Sequence, residues 1–128
     1  MENIIIAGAK NIPKVDFNFQ TNIFELSGKC YMEEANVFFK PIMEKFITHL
    51  NSLNGVAVVF NFKMIYFNSS SARFVLRIFD QLDETAKQGN EVSIIWNYEE
   101  DDDTMEEHGE EFGEDLEHAS FELKPIAL

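Results

Sequence analysis

The sequence has few of the features that mark secreted, membrane-spanning or zinc-binding proteins. Its 128 residues contain one cysteine, Cys30, which excludes an internal disulfide and the usual zinc motifs. No apolar run approaches the roughly 20 residues of a membrane-spanning helix, and the run at residues 4–6 is too short for the core of a signal peptide. We therefore expect a cytoplasmic protein without a membrane partner, with Cys30 as a buried apolar side chain rather than a nucleophile.

Basic residues are scarce, and the acidic residues are unevenly distributed. The net charge is -13, yet residues 99–117 hold twelve of the 23 acids and no lysine or arginine, so the rest of the chain has eleven acids against ten bases. Binding to nucleic-acid phosphates needs clustered Lys and Arg. The composition therefore argues against a nucleic-acid partner and leaves a basic protein partner open.

The chain also lacks the common sequence motifs of enzymes. It contains no G-x-G-x-x-G, no G-x-x-x-x-G-K-[ST], no H-E-x-x-H and no G-x-S-x-G. Helical spacing would let His108 and His118 join neighbouring glutamates in a metal site, but carboxylate-rich helical runs are usually solvated faces. We therefore expect no catalytic residue, no cofactor and no metal.

The apolar pattern of the first half predicts strands followed by a helix. Alternation over residues 15–19 and 24–26 predicts a half-buried antiparallel hairpin, with an edge strand before it in residues 1–8. Helical spacing then runs from about residue 33 to 53, with a kink or a split expected at Pro41. His49 is expected on the surface near the end of this helix.

The second half alternates strands and helices. A nearly continuous apolar strand over residues 56–67, expected to be buried on both faces, precedes a helix over 70–88 that Gly89 ends. A strand over 92–98 would complete a parallel crossover. The acidic segment predicts a helix with a narrow apolar stripe, weakened by Gly109 and Gly113, and a short last strand ended by Pro125.

These elements predict an α/β fold with a single domain over residues 1–128. We expect a mixed central sheet of four to five strands with three helices. The sequence has thirteen phenylalanines, which is unusually many for its length, so the core should be rich in Phe.

The segment 66–71, Tyr-Phe-Asn-Ser-Ser-Ser, joins the long strand to the amphipathic helix. Asn or Ser at a helix start accepts a hydrogen bond from a free backbone amide, but one cap needs only one such residue. No Glu or Gln follows any serine by three positions, so a capping box is absent. Arg73 and Arg77 could attract a phosphate or pair with Asp80. The residues alone leave capping and regulation equally open.

This segment resembles the Tyr-Leu/Phe-Asn-Thr/Ser-Ser-Ser motif of the SiaC family of bacterial regulatory phosphoproteins. Gly-Lys-Cys-Tyr-Met-Glu-Glu at residues 28–34 resembles the family's Gly-Arg-Ser-Tyr-Pro-Glu-Asp/Asn. Trp-Asn-Tyr at 96–98, followed by Asp101, Asp102, Met105 and Gly-Glu-Glu at 109–111, resembles its C-terminal pattern. The resemblance covers almost the whole chain and implies a STAS-like fold, similar to that of anti-sigma-factor antagonists.

The resemblance implies a non-enzymatic protein that phosphorylation switches between binding states. The phosphorylated hydroxyl of the family matches Ser69, where Ser replaces Thr, and Cys30 and Met32 replace the family's Ser and Pro. The implied partners are a Ser/Thr protein kinase, a PP2C-type phosphatase and a diguanylate cyclase, through which such proteins affect cyclic-di-GMP and biofilm formation. The expected switch and partner surface surrounds Ser69 and consists of Asn68, Ser70, Ser71, Arg73, Leu76 and Arg77.

Two alternatives to this switch remain open. One is a constitutive interaction module in which the serines only cap the helix. The other is a small enzyme or ligand-binding domain that uses Cys30, His49 or the acidic helix.

Overall fold

A computed structural model, which describes residues 2–127, has one six-stranded mixed sheet and three helices. The elements in chain order are β1 (Ile4–Ile6), β2 (Lys14–Asn18), β3 (Ile23–Cys30), α1 (Ala35–Asn51), β4 (Ala57–Phe67), α2 (Ser69–Lys87), β5 (Glu91–Glu99), α3 (Asp103–Gly113) and β6 (Ser120–Ile126). The predicted α/β class, mixed sheet and three helices are confirmed. The sheet has six strands rather than four to five, because the short strand β1 pairs along the edge of β2.

Strand order in the sheet follows chain order, and this fixes where the helices lie. The pairs β1–β2 and β2–β3 are antiparallel, whereas β3–β4, β4–β5 and β5–β6 are parallel and each is connected through a helix. Parallel crossovers share one hand, so successive crossovers that advance in one direction place their helices on the same face. The sheet is therefore covered on one face only.

The prediction that β4 is buried on both faces is wrong. Its buried side chains alternate, with Phe60 and Phe62 beneath the helices and Asn61 and Lys63 on the open face. On that open face, Glu25 accepts ion pairs from Lys14 at 3.2 Å and from Lys63 at 3.5 Å. The continuous apolar run misled the prediction because apolar residues also occupy half-buried positions of the open face.

Phenylalanine rings fill the space between the sheet and the helices, as the composition predicted. The ring of Phe46 on α1 meets Phe60 edge-on at 5.7 Å, and Phe79 on α2 stacks on Phe62 at 5.0 Å. Phe79 also stacks on Phe112 of α3 at 5.4 Å. The three helices therefore share one aromatic core.

The helix α1 runs through Pro41 without a split, so of the two predicted effects of Pro41, a kink or a split, the split does not occur. Pro41 removes the hydrogen bond to the carbonyl of Val37, and Val37 and Pro41 are both exposed. Water can therefore reach the unpaired carbonyl, while the apolar face of the helix stays continuous.

His49 is half-buried rather than on the surface. Its ring packs against Phe19 at 4.8 Å, and its Nε2 lies 2.6 Å from Oδ1 of Asn22 in the β2–β3 turn. Burial lowers the pKa of His49. His49 therefore ties the end of α1 to the hairpin, and its burial favours the neutral form.

The strand β6 continues to Ile126, so the prediction that Pro125 ends it is wrong. Pro125 pairs with Tyr98 of β5. Because β6 is an edge strand, the missing amide of Pro125 can face the open side of the strand, where no neighbouring strand needs it.

The two glycines of α3 let this helix lie close to the sheet. A Cβ at Gly109 would lie 2.7 Å from Leu123 Cδ2 and even closer to the Trp96 ring, and a Cβ at Gly113 would lie 2.6 Å from the Phe121 ring. Trp96 Nε1 also donates a 3.0 Å hydrogen bond to the carbonyl of Met105. The low helix propensity of glycine is thus offset by packing that no larger residue allows.

Asp83 holds the connection between α3 and β6, a role that no sequence pattern indicates. Its carboxylate accepts hydrogen bonds from the amides of Glu117, His118 and Ala119, the shortest at 2.8 Å. Partial burial raises the pKa of Asp83, but these three amides outweigh that effect, so the pKa lies below its ordinary value.

No helix within residues 2–127 is long and apolar enough to cross a membrane.

Replacing Gly109 by Ala should destabilise the fold. Ala favours helix over Gly by about 1 kcal/mol, but the added Cβ would clash with both Trp96 and Leu123. This clash should cost about 3 kcal/mol, the upper end of the usual range for overpacking, so we expect a net loss of about 2 kcal/mol. Urea unfolding followed by tryptophan fluorescence measures the net change. Glu110→Ala on the exposed side of α3 is the matched control and should change the free energy of unfolding by less than about 0.5 kcal/mol. A stabilised Gly109→Ala variant would contradict the close packing.

Replacing Asp83 by Asn should remove a pH-dependent part of the stability. The folded pKa of Asp83 lies below its ordinary value of 3.8, so its stabilisation is present above that value and is lost as pH falls through the folded pKa. We expect Asp83→Asn to lower the free energy of unfolding by roughly 1 to 2 kcal/mol at pH 7. The difference from the unsubstituted protein should shrink below about pH 4. Urea unfolding at pH 7, 5 and 3 tests this, and a difference that is constant with pH would contradict it.

Candidate functional site

A register shift between β3 and β4 sets the geometry of the segment 66–71. Gly28 pairs with Met64 but Lys29 pairs with Tyr66, so Ile65 is an extra residue in β4. As in other bulges, the extra residue changes which side chains face each side of the sheet. Tyr66 is therefore exposed, whereas Phe67 points into the core and the chain enters α2 directly after it.

Asn68 is the N-cap of α2 and also ties the helix to the loop after β3. Its Oδ1 accepts hydrogen bonds from the amide of Ser71 and the hydroxyl of Ser70, both at 3.0 Å. Its Nδ2 donates to the carbonyl of Met32 at 3.0 Å, and its backbone amide donates to the carbonyl of Cys30. One side chain thus satisfies the cap and connects two elements.

Ser71 faces inward and is committed to the core. It is 1% exposed, and its Oγ lies 2.8 Å from Sγ of Cys30, which is itself fully buried. Burial raises the pKa of the Cys30 thiol, and the hydrogen bond between Cys30 and Ser71 opposes this only in part. The expectation that Cys30 is a buried apolar side chain is confirmed.

Ser69 differs from its neighbours. It is the first residue of α2 and is exposed. Within residues 2–127, nothing forms a hydrogen bond with its hydroxyl, whereas Ser70, Ser71 and Asn68 are all engaged. The structure therefore divides the four polar residues into three with structural contacts and one with a free hydroxyl.

Arg73 and Arg77 lie on the side of α2 that faces the start of α1. They line an open pocket of about 410 Å³ together with Glu33, Ala35, Asn36, Ser70 and Phe74. The pairing with Asp80 that the sequence allowed is not formed, and among the described residues neither arginine makes an ion pair. Arg77 instead lies over the Phe74 ring, with its Cζ 5.7 Å from the ring centre.

Exposed apolar side chains surround this junction. Leu76 of α2 is 46% exposed, so it is available for contact rather than part of the core. Tyr31 and Tyr66 stack at 4.5 Å and are both more than 40% exposed. No local pattern in the sequence indicates this tyrosine pair, because only the parallel pairing of β3 and β4 brings the two residues together. Exposed tyrosines are enriched in protein-binding surfaces.

The residues on which the alternative enzyme hypothesis depends are not brought together. Cys30 ends β3, whereas His49 contacts Asn22 just before β3 begins. His108 packs on the Phe67 ring at 5.0 Å. Among residues 2–127 there is no group of three His, Cys, Asp or Glu side chains placed to hold a metal ion.

Comparison with known proteins supports a regulatory role for this fold. The model of the SiaC family of regulatory phosphoproteins matches residues 6–126. An uncharacterised protein of Pseudomonas aeruginosa (strain UCBPP-PA14) is 24% identical over 115 residues, which cover 90% of each chain. The crystal structure of apo-SiaC from Pseudomonas aeruginosa superposes with a TM-score of 0.86 at 25% identity, over 97% of this chain and 99% of that one.

A further solved structure contains the same fold in a complex. It is described as the diguanylate cyclase SiaD in complex with its activator SiaC from Pseudomonas aeruginosa, and its matching chain is 23% identical with a TM-score of 0.84, over 94% of this chain and 98% of that one. Since the family match spans residues 6–126, the chain belongs to the SiaC family of regulatory phosphoproteins.

Removing the Asn68 side chain should destabilise the junction. Asn68→Ala loses the cap of α2 and leaves the Met32 carbonyl unpaired, so we expect the free energy of unfolding to fall by roughly 1 to 2 kcal/mol. Urea unfolding measures this change. Ser69→Ala, one residue away, is the control and should change stability by less than about 0.5 kcal/mol. Equal losses in the two variants would show that Ser69 also has a structural role.

Proposed function

We propose that this protein is a non-enzymatic switch that is reversibly phosphorylated on Ser69 and binds its partner in one phosphorylation state only. A Ser/Thr protein kinase would transfer the γ-phosphoryl group of ATP to Ser69 Oγ, releasing ADP and the hydroxyl proton. A PP2C-type phosphatase would return the hydroxyl by hydrolysis. Residues 1–128 would form a single domain, and the protein would act in the cytoplasm.

The observation that carries this proposal is the free hydroxyl of Ser69. A kinase must bring the hydroxyl to the phosphate of ATP, so the acceptor has to be exposed and not held by the fold. Ser69 meets both conditions. The hydroxyl of Ser71 is buried against Cys30, so a phosphate there would disrupt the core. The hydroxyl of Ser70 donates to the capping oxygen of Asn68, so a phosphate there would remove that hydrogen bond.

A phosphate at Ser69 would change a neutral surface into a charged one. It adds about -1.5 to -2 charge and three strong acceptors. The surroundings of Ser69 include the exposed apolar side chains Tyr66 and Leu76. A partner that covers this surface when it is neutral would have to desolvate the phosphate, and binding would be lost.

The proposed partner is a diguanylate cyclase. The support is the crystal structure in which the SiaC of Pseudomonas aeruginosa is the activator of such a cyclase. By this proposal the unmodified chain binds the cyclase and affects cyclic-di-GMP and biofilm formation, and the kinase and phosphatase set the amount of unmodified chain. The proposed partner surface contains Asn68, Ser70, Arg73, Leu76 and Arg77 around Ser69. Ser71, which the sequence placed on this surface, is buried against Cys30 and can only support the surface from within.

Phosphorylation can be tested with a Ser/Thr protein kinase from the organism that produces this chain. The purified chain is incubated with the kinase and ATP, and the phosphate is located by mass spectrometry. We expect phosphate at Ser69, none in Ser69→Ala, and normal uptake in the matched variant Ser70→Ala. The affinity for the diguanylate cyclase of the same organism is then measured by calorimetry. Phosphorylated protein and Ser69→Glu should bind at least about tenfold more weakly than unmodified protein and Ser69→Ala, a loss of about 1.4 kcal/mol or more.

Either of two results would contradict the switch. One is phosphate at a residue other than Ser69, and the other is equal cyclase affinity in all four forms. Equal affinity would support the constitutive module in which the serines only cap α2.

A further inference from the structure

The start of α2 carries positive charge that the folded chain leaves unneutralised. Residues 64–79 contain Arg73 and Arg77 and no Asp or Glu, in a chain whose net charge is -13. Both arginines are exposed, and among the described residues neither forms an ion pair. Of the residues that line the pocket beside them, only Glu33 is acidic. An anion that arrives next to α2 would therefore find an uncommitted guanidinium.

Arg73 is placed to reach a phosphate on Ser69. The two residues are four positions apart in one helix, so they lie on the same face and about 6 Å apart along the axis. Helical side chains lean toward the N-terminus, so the long side chain of Arg73 extends over the first turn, where Ser69 lies. Arg77 is eight positions from Ser69, about 12 Å along the axis, and contacts Phe74 instead.

The backbone around Ser69 supports the same interaction. Asn68 caps the amide of Ser71, and the amides of Ser71 and Ala72 also point to the Asn68 carbonyl. Within the described chain, the amides of Ser69 and Ser70 have no acceptor. Two free amide donors and the positive end of the helix dipole therefore lie beside the phosphorylated oxygen.

We propose that Arg73 binds the phosphate on Ser69 within the same helix, so that phosphorylation also withdraws this arginine from the partner-binding surface. This inference rests on the proposed function, because it assumes that Ser69 carries the phosphate. In the unmodified protein, Arg73 is free to pair with a carboxylate of the partner. In the phosphorylated protein it is neutralised internally, and the partner's carboxylate meets the phosphate, which repels it.

This mechanism assigns different roles to the two arginines. Arg73 is a positioning residue that responds to phosphorylation, whereas Arg77 stays on the Phe74 ring in both states. The pocket between α1 and α2 therefore loses one of its two positive charges when Ser69 is modified, while Glu33 remains. A carboxylate-bearing partner would lose an attraction and gain a repulsion from a single modification.

The interaction between Arg73 and the phosphate on Ser69 can be tested without the kinase. Phosphoserine is placed at residue 69 during translation, and the second pKa of its phosphate is followed by phosphorus NMR. In the folded protein this pKa should lie about half a unit or more below its value in the same chain unfolded in urea. Arg73→Gln should remove much of this difference, Arg73→Lys should retain most of it, and the matched variant Arg77→Gln should leave it unchanged.

The inference would be overturned if Arg73→Gln and Arg77→Gln gave the same phosphate pKa as the unsubstituted phosphoprotein. Cyclase affinity, measured on the same samples, tests the proposed function separately. A phosphoserine-69 protein that binds the cyclase as tightly as the unmodified chain would contradict the switch, whatever the phosphate pKa shows. Loss of cyclase binding with no effect of Arg73→Gln on the phosphate pKa would contradict the Arg73 pair alone.

Discussion

The packing of phenylalanine rings between one face of the sheet and three helices is the constraint on which the rest of the structure depends. Phe60 and Phe62, adjacent on the inner face of β4, stack at 4.3 Å and contact rings from α1 and α2. The rings bury large apolar areas, which stabilises the packing of the helices on the sheet. They also favour offset and edge-on contacts, which fixes the positions of the helices. The direction in which α2 leaves β4 is set by this core.

The aromatic core also holds the junction between β4 and α2 in place. Phe67 anchors the end of β4 in the core through contacts with Trp96 and Phe112. The next residue, Asn68, caps α2 and holds the loop after β3 through Met32. Ser69 is thereby held on a rigid element with its hydroxyl exposed. A modification at such a position changes the surface charge without requiring the fold to change.

The open face of the sheet and the acidic helix have a different character. The open face carries the ion pairs of Glu25 with Lys14 and Lys63, which are partly exposed and add little to stability. The acidic side chains of α3 face solvent except for the half-buried Glu106, which accepts a hydrogen bond from Tyr98, while Gly109 and Gly113 lie against the sheet. The excess of negative charge is therefore confined to α3 and its flanking residues, and the arginines of α2 lie on a separate part of the surface.

Much of the fold follows from local patterns in the sequence. The alternation in β2 and β3, the helical spacing of α2 and the position of Gly89, whose φ is +103°, each depend on nearby residues only. These patterns predicted the elements correctly because period and turn chemistry are local properties. The errors at β4, His49 and Pro125, and the absence of a split at Pro41, share one cause. Each depends on which side of an element faces a neighbour, and a sequence does not display its neighbours.

The same division holds for the candidate site. The sequence by itself determined that a cluster of Asn and Ser starts an amphipathic helix after a strand, and that two arginines follow it. Only the tertiary structure decided which hydroxyl is free, because Ser71 is occupied by Cys30, forty-one residues away, and Asn68 by Met32. It also paired Tyr31 with Tyr66 across β3 and β4. Hydrogen bonds and ring contacts between distant residues arise when the strands pair, so no local pattern contains them.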